Sequence, residues 1–245
     1  MKVAAYQAPL LDVGSMAAVA LIRERVEWCE DNGVEVLCCP EGVLGGLADY
    51  SSHPTRFAID VKSGKLESIL APLKSKTVTT ILGFTEMDGY HSLYNTAAVF
   101  HKGSVIGLYR KQHTAINRSV YRRGDRTPIF TIGLLTFGII LCRDSVFAEP
   151  ARTMATKGAQ VLFVPTNCGL PPGKCGPDMV GHAQRRDATL AAENGVHIVR
   201  ADVAGTTSSL TSFGTSRIIN PAGTVLAEAK QMVPDLIVAD IETTR

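Results

Sequence analysis

Two stretches, GVEVLCCP at residues 33–40 and GAQVLFVP at residues 158–165, keep Gly, Val, Leu and Pro in the same places, 125 residues apart. Each is a short, mostly apolar run bounded by Gly and Pro, the pattern of a strand buried on both faces. The spacing is about half of the 245-residue chain, far longer than the roughly 20–50 residue period of a solenoid. The echo predicts two similar βα halves, related by a pseudo-twofold and stacked face to face in one α/β domain over residues 1–245. The competing account is chance likeness between two stereotyped buried strands.

Around the first string, VAAYQAP (3–9) reads as a strand, Ser15 is placed to cap a helix running to Asp31, and Gly33 supplies its left-handed stop. A second helix is predicted over 65–76, followed by the strand VTTILGF (78–84). The rhythm then changes. Apolar positions alternate through NTAAVF (95–100), break at HKGS and resume in VIGLY (105–109), which predicts a hairpin with Lys111 at its end. IFTIG (129–133) and LLTFGIILC (134–142) predict a strand pair, and AEPARTMATKG (148–158) a helix stopped by Gly158. After the second string come a helix over 179–194, the strand VHIVRAD (196–202), and a strand pair turning at NPAG (220–223).

Composition excludes several classes. With 45% hydrophobic and 20% charged residues the chain reads as globular. Twenty-five basic against 23 acidic residues give a net charge of +2, and the pairs Arg122-Arg123 and Arg185-Arg186 are isolated, so no nucleic-acid partner is expected. The longest apolar stretches, 16–22 and 131–142, fall short of the roughly 20 residues of a membrane span. Gln7 and Pro9 interrupt any leader-like start, so a cytoplasmic protein is expected. Six cysteines are too few for a disulfide scaffold and read as reduced thiols. No CxxC, HxxxH or HExxH spacing occurs, and no metal is expected. GxSxG, P-loop and GxGxxG signatures are also missing.

Sheets built from βαβ units hold their chemistry beyond the carboxyl ends of the strands. Three residues stand there: Glu41 after VLCCP, Lys111 after VIGLYR and Cys142 after FGIIL. Taken singly they read as a loop carboxylate, a surface cation and a buried thiol. Taken together they supply a base, a cation and a soft nucleophile. A free thiol is only about 3% ionised at pH 7, and a nearby ammonium favours the reactive thiolate.

The segments CPEGVLGG (39–46), YRKQH (109–113) and GIILCRDSVFAEPAR (138–152) resemble the three signatures of the nitrilase superfamily of carbon–nitrogen hydrolases. AAYQAP (4–9), GDRTPIF (124–130), VLFVPTN (161–167), AAENGVHIVRADVAG (191–205) and SRIINPAGTVLAEA (216–229) are similar to its other elements, so the resemblance spans nearly the whole chain. It implies a four-layer αββα sandwich, no cofactor, a homodimer or larger assembly, and a Glu41, Lys111, Cys142 triad that works through a thioester. In that scheme the backbone N–H of Arg143 joins Lys111 in holding the oxyanion. Cys142-Arg143-Asp144 follows the C-x-D of amide and N-carbamoyl hydrolysing branches, not the C-W-E of true nitrilases. The expected reaction is therefore hydrolysis of a small linear amide to acid and ammonia, with an N-carbamoyl compound as the alternative substrate.

Some positions depart from the pattern or stay open. In NRSVYRRGD (117–125), Asn117 stands where the family commonly has a second glutamate. An amide there can orient Lys111 but cannot act as a base, which admits a catalytically silent binding or thiol-sensing scaffold as a reading of another class. The Arg143 side chain is suited either to clamping a substrate carboxylate or to pairing with Asp144 or Glu149. Thr166 and Asn167 are expected to line the substrate pocket. Cys168 and Cys175 read as loop thiols without a chemical role. The sequence ends at Arg245, sooner after DLIVADIETTR than the tails usual in the family.

Overall fold

The computed structural model describes residues 1–171, 173, 174 and 176–243. In chain order its strands and α-helices are β1 (Lys2–Pro9), α1 (Ala18–Asp31), β2 (Val36–Cys38), β3 (Ile59–Asp60), α2 (Lys65–Leu70), β4 (Thr79–Met87), β5 (Leu93–His101), β6 (Ser104–Arg110), β7 (Tyr121–Arg122), β8 (Ile129–Ile132) and β9 (Leu135–Ile139). The second part continues with α3 (Ala151–Thr156), β10 (Val161–Pro165), α4 (Asp178–Asn194), β11 (His197–Ala201), β12 (Val203–Thr206), β13 (Thr211–Ser212), β14 (Arg217–Ile219), β15 (Val225–Glu228) and β16 (Asp235–Asp240).

Two sheets form. The larger runs β13-β12-β1-β2-β4-β5-β6, with β16 on β1, β3 on β4 and β7 on β5; the smaller runs β15-β14-β11-β10-β9-β8. Within them the path β1-β2-β4-β5-β6 is joined by two parallel and then two antiparallel pairings. The path β9-β10-β11-β14-β15 repeats that order. The two echoing strings thus become β2 and β10, each inside one copy of the same topology.

Period-two burial explains the layering. Val36 and Cys38 on β2 join the core shared with Phe137, Val161 and Phe163 of the other sheet. Leu37 and Cys39 face the opposite way, among Ile22 and Val26 of α1 and Leu66 and Leu70 of α2. α3 and α4 contribute Met154 and Leu190 to the core of the smaller sheet. The result is the expected αββα sandwich. No helix among the described residues is long and apolar enough to cross a membrane.

Two helix expectations need correction. α1 begins at Ala18, and its N-terminus has no side-chain cap. Ser15 stands two residues before the Ala17 N-cap, so its hydroxyl accepts from Ala17 N at 3.3 Å, ahead of the helix, while its carbonyl accepts from Gly45 N at 3.1 Å. α2 ends at Leu70 and continues only as a 3-10 turn over Ala71–Leu73, because Pro72 lacks the N–H that a further α-helical turn requires.

Candidate active site

Glu41 lies in the turn that follows β2, and that turn is fastened to both sheets. Its N–H donates to the Thr166 carbonyl beyond β10 (3.2 Å), while Gly83 N of β4 donates to the Pro40 carbonyl (3.0 Å). A Cβ at Gly83 would fall 2.6 Å from the Glu41 Cα, so only glycine lets β4 run this close to the Glu41 backbone. Lys111 stands one residue past β6, its N–H on the Asn95 carbonyl (2.9 Å) and its own carbonyl on Gly124 N (2.7 Å). Cys142 opens a 3-10 turn, Cys142–Val146, beyond β9 with φ of +41°. A side chain other than glycine is rare in that left-handed region, where strain concentrates at functional sites.

These three side chains converge. Lys111 Nζ donates to Glu41 Oε1, and both groups are almost wholly buried, at 3% and 1% exposure. Asn95 Nδ2 donates to the same oxygen at 2.9 Å, and Asn167 N to Oε2 at 3.1 Å, so the carboxylate is fixed from three sides. Cys142 shares with them the wall of one cavity of about 440 Å³. Asp144 couples the cysteine turn to the lysine strand: its carboxylate accepts from Leu141 N (3.0 Å), Tyr109 Oη (2.8 Å) and His113 N (2.8 Å). Ser145 Oγ donates to the Cys142 carbonyl at 2.8 Å.

The electrostatics single out one sulfur. A hydrogen bond from the Cys168 thiol holds the Cys142 thiol below its ordinary pKa; Lys111 and Arg200 act the same way, against burial and the Glu41 charge. As the donor to Cys142, and by burial, Cys168 is pushed well up. Burial drives Cys29 up to about 12 and raises Cys38; it raises Cys39 too, with the neighbouring Cys38 and Cys29 acting the same way. Lys111 is raised: burial opposes its charge, but Glu41, Cys142 and Asp144 outweigh burial. An ammonium, a fixed carboxylate and an acidified thiol on one wall can stabilise an oxyanion, move a proton and attack an electrophilic carbon.

The remaining predicted positions are placed as follows. Arg143 and Asn167 line the cavity. Thr166 is fully buried, its hydroxyl used between the Val164 carbonyl (3.0 Å) and Arg200 (2.6 Å). Asn117 is exposed and lies off the cavity wall, with no hydrogen bond to Lys111 among the described residues; the amide beside Glu41 is Asn95. Cys168 lines the cavity, closer to the chemistry than expected, and Cys175 lies outside the described residues.

Sequence reading missed Asn95 and a buried arginine. Arg200 of β11 donates through Nε to Asp187 Oδ2 (2.6 Å), pairs with Oδ1 through a second nitrogen, and reaches Thr166 Oγ1 (2.6 Å) and Ser145 Oγ (3.1 Å). It therefore ties the cysteine turn to the loop that holds Glu41. A signal was present, since Arg200 is the lone permanently charged residue within the apolar run VHIVRA. A buried charge in a strand needs a partner to offset its desolvation.

Comparison with known proteins follows from this geometry. Residues 2–245 match the family model described as Carbon-nitrogen hydrolase. A nitrilase from Pyrococcus abyssi is 32% identical over 215 residues, covering 86% of this chain and 78% of its own. An N-carbamoylputrescine amidase from Arabidopsis thaliana is 29% identical over 208 residues, covering 79% and 66%. Among solved structures, an amidase of the nitrilase superfamily from Nesterenkonia superposes with a TM-score of 0.83 at 21% identity, over 98% of this chain and 90% of that one. That last likeness speaks to the fold.

Proposed function

The chain belongs to the carbon–nitrogen hydrolase family, and from that premise we propose that it hydrolyses a small linear amide to a carboxylic acid and ammonia, without a cofactor, through a thioester on Cys142. The observation that carries this reading is the buried Lys111–Glu41 pair sharing a cavity wall with Cys142. The Cys142 sulfur attacks the carbonyl carbon while Glu41 takes the thiol proton. Lys111 Nζ and the backbone N–H of Arg143, one of the first in its 3-10 turn and so without a partner inside that turn, hold the oxyanion. Glu41 passes the proton to the departing nitrogen, the C–N bond breaks, and ammonia leaves. Glu41 then takes a proton from water, whose oxygen displaces the sulfur and releases the acid, and Glu41 returns that proton to the departing Cys142 sulfur. Losing one oxyanion donor costs on the order of 100-fold in rate.

Ammonia release across a panel of short amides tests the reading. Release should be measurable for the unaltered protein and fall by at least about 1,000-fold in Cys142→Ala, given the usual cost of removing a nucleophile; release unchanged in that variant would remove the sulfur from the mechanism. The kinship with an N-carbamoylputrescine amidase supports a second reading, hydrolysis of an N-carbamoyl compound. Carbon dioxide would then accompany the ammonia, and its stoichiometric release selects that reading over a simple amide. The proposal includes a cytoplasmic homodimer or larger assembly, which light scattering of the purified chain measures as at least twice 26.2 kDa.

A further inference from the structure

We propose that the substrate carries a carboxylate in addition to its scissile amide, held by the guanidinium groups of Arg143 and Arg186; this rests on the amide-hydrolase reading. The inference comes from a charge inventory of the cavity wall. Glu41 and Lys111 neutralise each other, and Arg200 is closed against Asp187. The one other wall carboxylate, Asp49, accepts from the neutral donors Ser119 Oγ (3.0 Å) and Val120 N (2.8 Å) and is, among the described residues, the single unpaired negative charge set against the arginines that remain. Arg122, Arg143 and Arg186 remain on the wall, and none of them has an ion pair among the described residues.

Arg143 forms an ion pair with neither of the structural partners suggested for it. Asp144 accepts from Leu141 N, His113 N and Tyr109 Oη, and Glu149 Oε2 accepts from the N–H and hydroxyl of Thr153. The Arg143 guanidinium lies instead over the Phe147 ring, 6.0 Å from its centroid, leaving its donors for a ligand. Arg186 comes from α4. On α4 the residues Met179, His182, Ala183 and Arg186 all line the cavity, a spacing of three, four and seven that puts them on one helix face. Arg186 also borders Val146 of the cysteine turn in a neighbouring groove, so it stands near the nucleophile. Planar guanidinium groups bind carboxylates bidentately, whereas an ammonium on the substrate would meet repulsion. Leu47, Ile116, Leu170 and Met179 supply apolar wall for the carbon chain between the two polar ends.

Three amides of equal chain length separate the possibilities: succinamic acid, butanamide and 4-aminobutanamide. The expected kcat/KM order is acid, neutral, amine, with acid over neutral about tenfold or more, as suits a charge-assisted hydrogen bond. In R143Q/R186Q that ratio should fall toward one. A ratio at or below one in the unaltered protein, or one that the double substitution does not move, overturns the inference while leaving the hydrolase reading in place. Should none of the three amides be cleaved, that reading fails by itself, and calorimetry with succinate then decides the charge preference. Saturable succinate binding that R143Q/R186Q weakens upholds it, and no binding overturns it.

Discussion

Cys142 differs from the other described cysteines in what surrounds its sulfur. Cys29, Cys38 and Cys39 lie among apolar side chains that raise their pKa, whereas Cys142 meets a thiol donor and two cations that lower it. The thiolate is the form that reacts, so a lowered pKa moves the midpoint of alkylation to lower pH. Iodoacetamide labelling of Cys142 should therefore reach half its maximal rate below the midpoint of a free cysteine thiol. Cys168→Ala removes the donor, and the midpoint should rise; a midpoint that stays put or falls would show that Cys168 does not tune the nucleophile. At this scale the sequence was readable where a reactive residue closes an apolar run, as Glu41, Lys111 and Cys142 do, one to three residues past the ends of β2, β6 and β9. Asn95 was not readable, because its role depends on the carboxylate of Glu41, 54 residues away, being turned toward it.

Among the elements, β11 has the largest unforeseen part. Its five residues are all buried, and Arg200 at its fourth position converts the strand into a brace between the Cys142 turn and Thr166, whose carbonyl holds Glu41 N. Arg200→Met leaves the Asp187 carboxylate buried and unpaired, which costs about 3–5 kcal/mol and should appear as a lower urea midpoint. Adding Asp187→Leu removes the stranded charge and should restore most of the stability. It does not return a donor to Ser145 or Thr166, so kcat should stay low in the double variant. Recovery of both stability and kcat would reduce Arg200 to a packing role. The strands were legible because apolar runs bounded by Gly and Pro have few other interpretations. The start of α1 was not, since the helix begins two residues later than the capping residue suggested, at an Ala17 N-cap that has no capping side chain to mark it.

For the whole molecule, the echo of GVEVLCCP in GAQVLFVP anticipated two paths of five strands with the same order of pairings. The short extra strands β3, β7 and β13, two residues each, left no comparable trace, because so few residues carry no period. Stacking the two paths brings the turn after β2 against the loop after β10, where Glu41 N meets the Thr166 carbonyl. That junction is what gathers Glu41, Lys111 and Cys142, distant along the chain, onto one cavity. Mass-spectrometric peptide mapping of protein acid-quenched during amide turnover tests this account most directly. An acyl mass on the peptide containing Cys142, and on none containing Cys168, is the predicted result. Ammonia release with Cys142 left unmodified, or with the acyl group on another side chain, would contradict it.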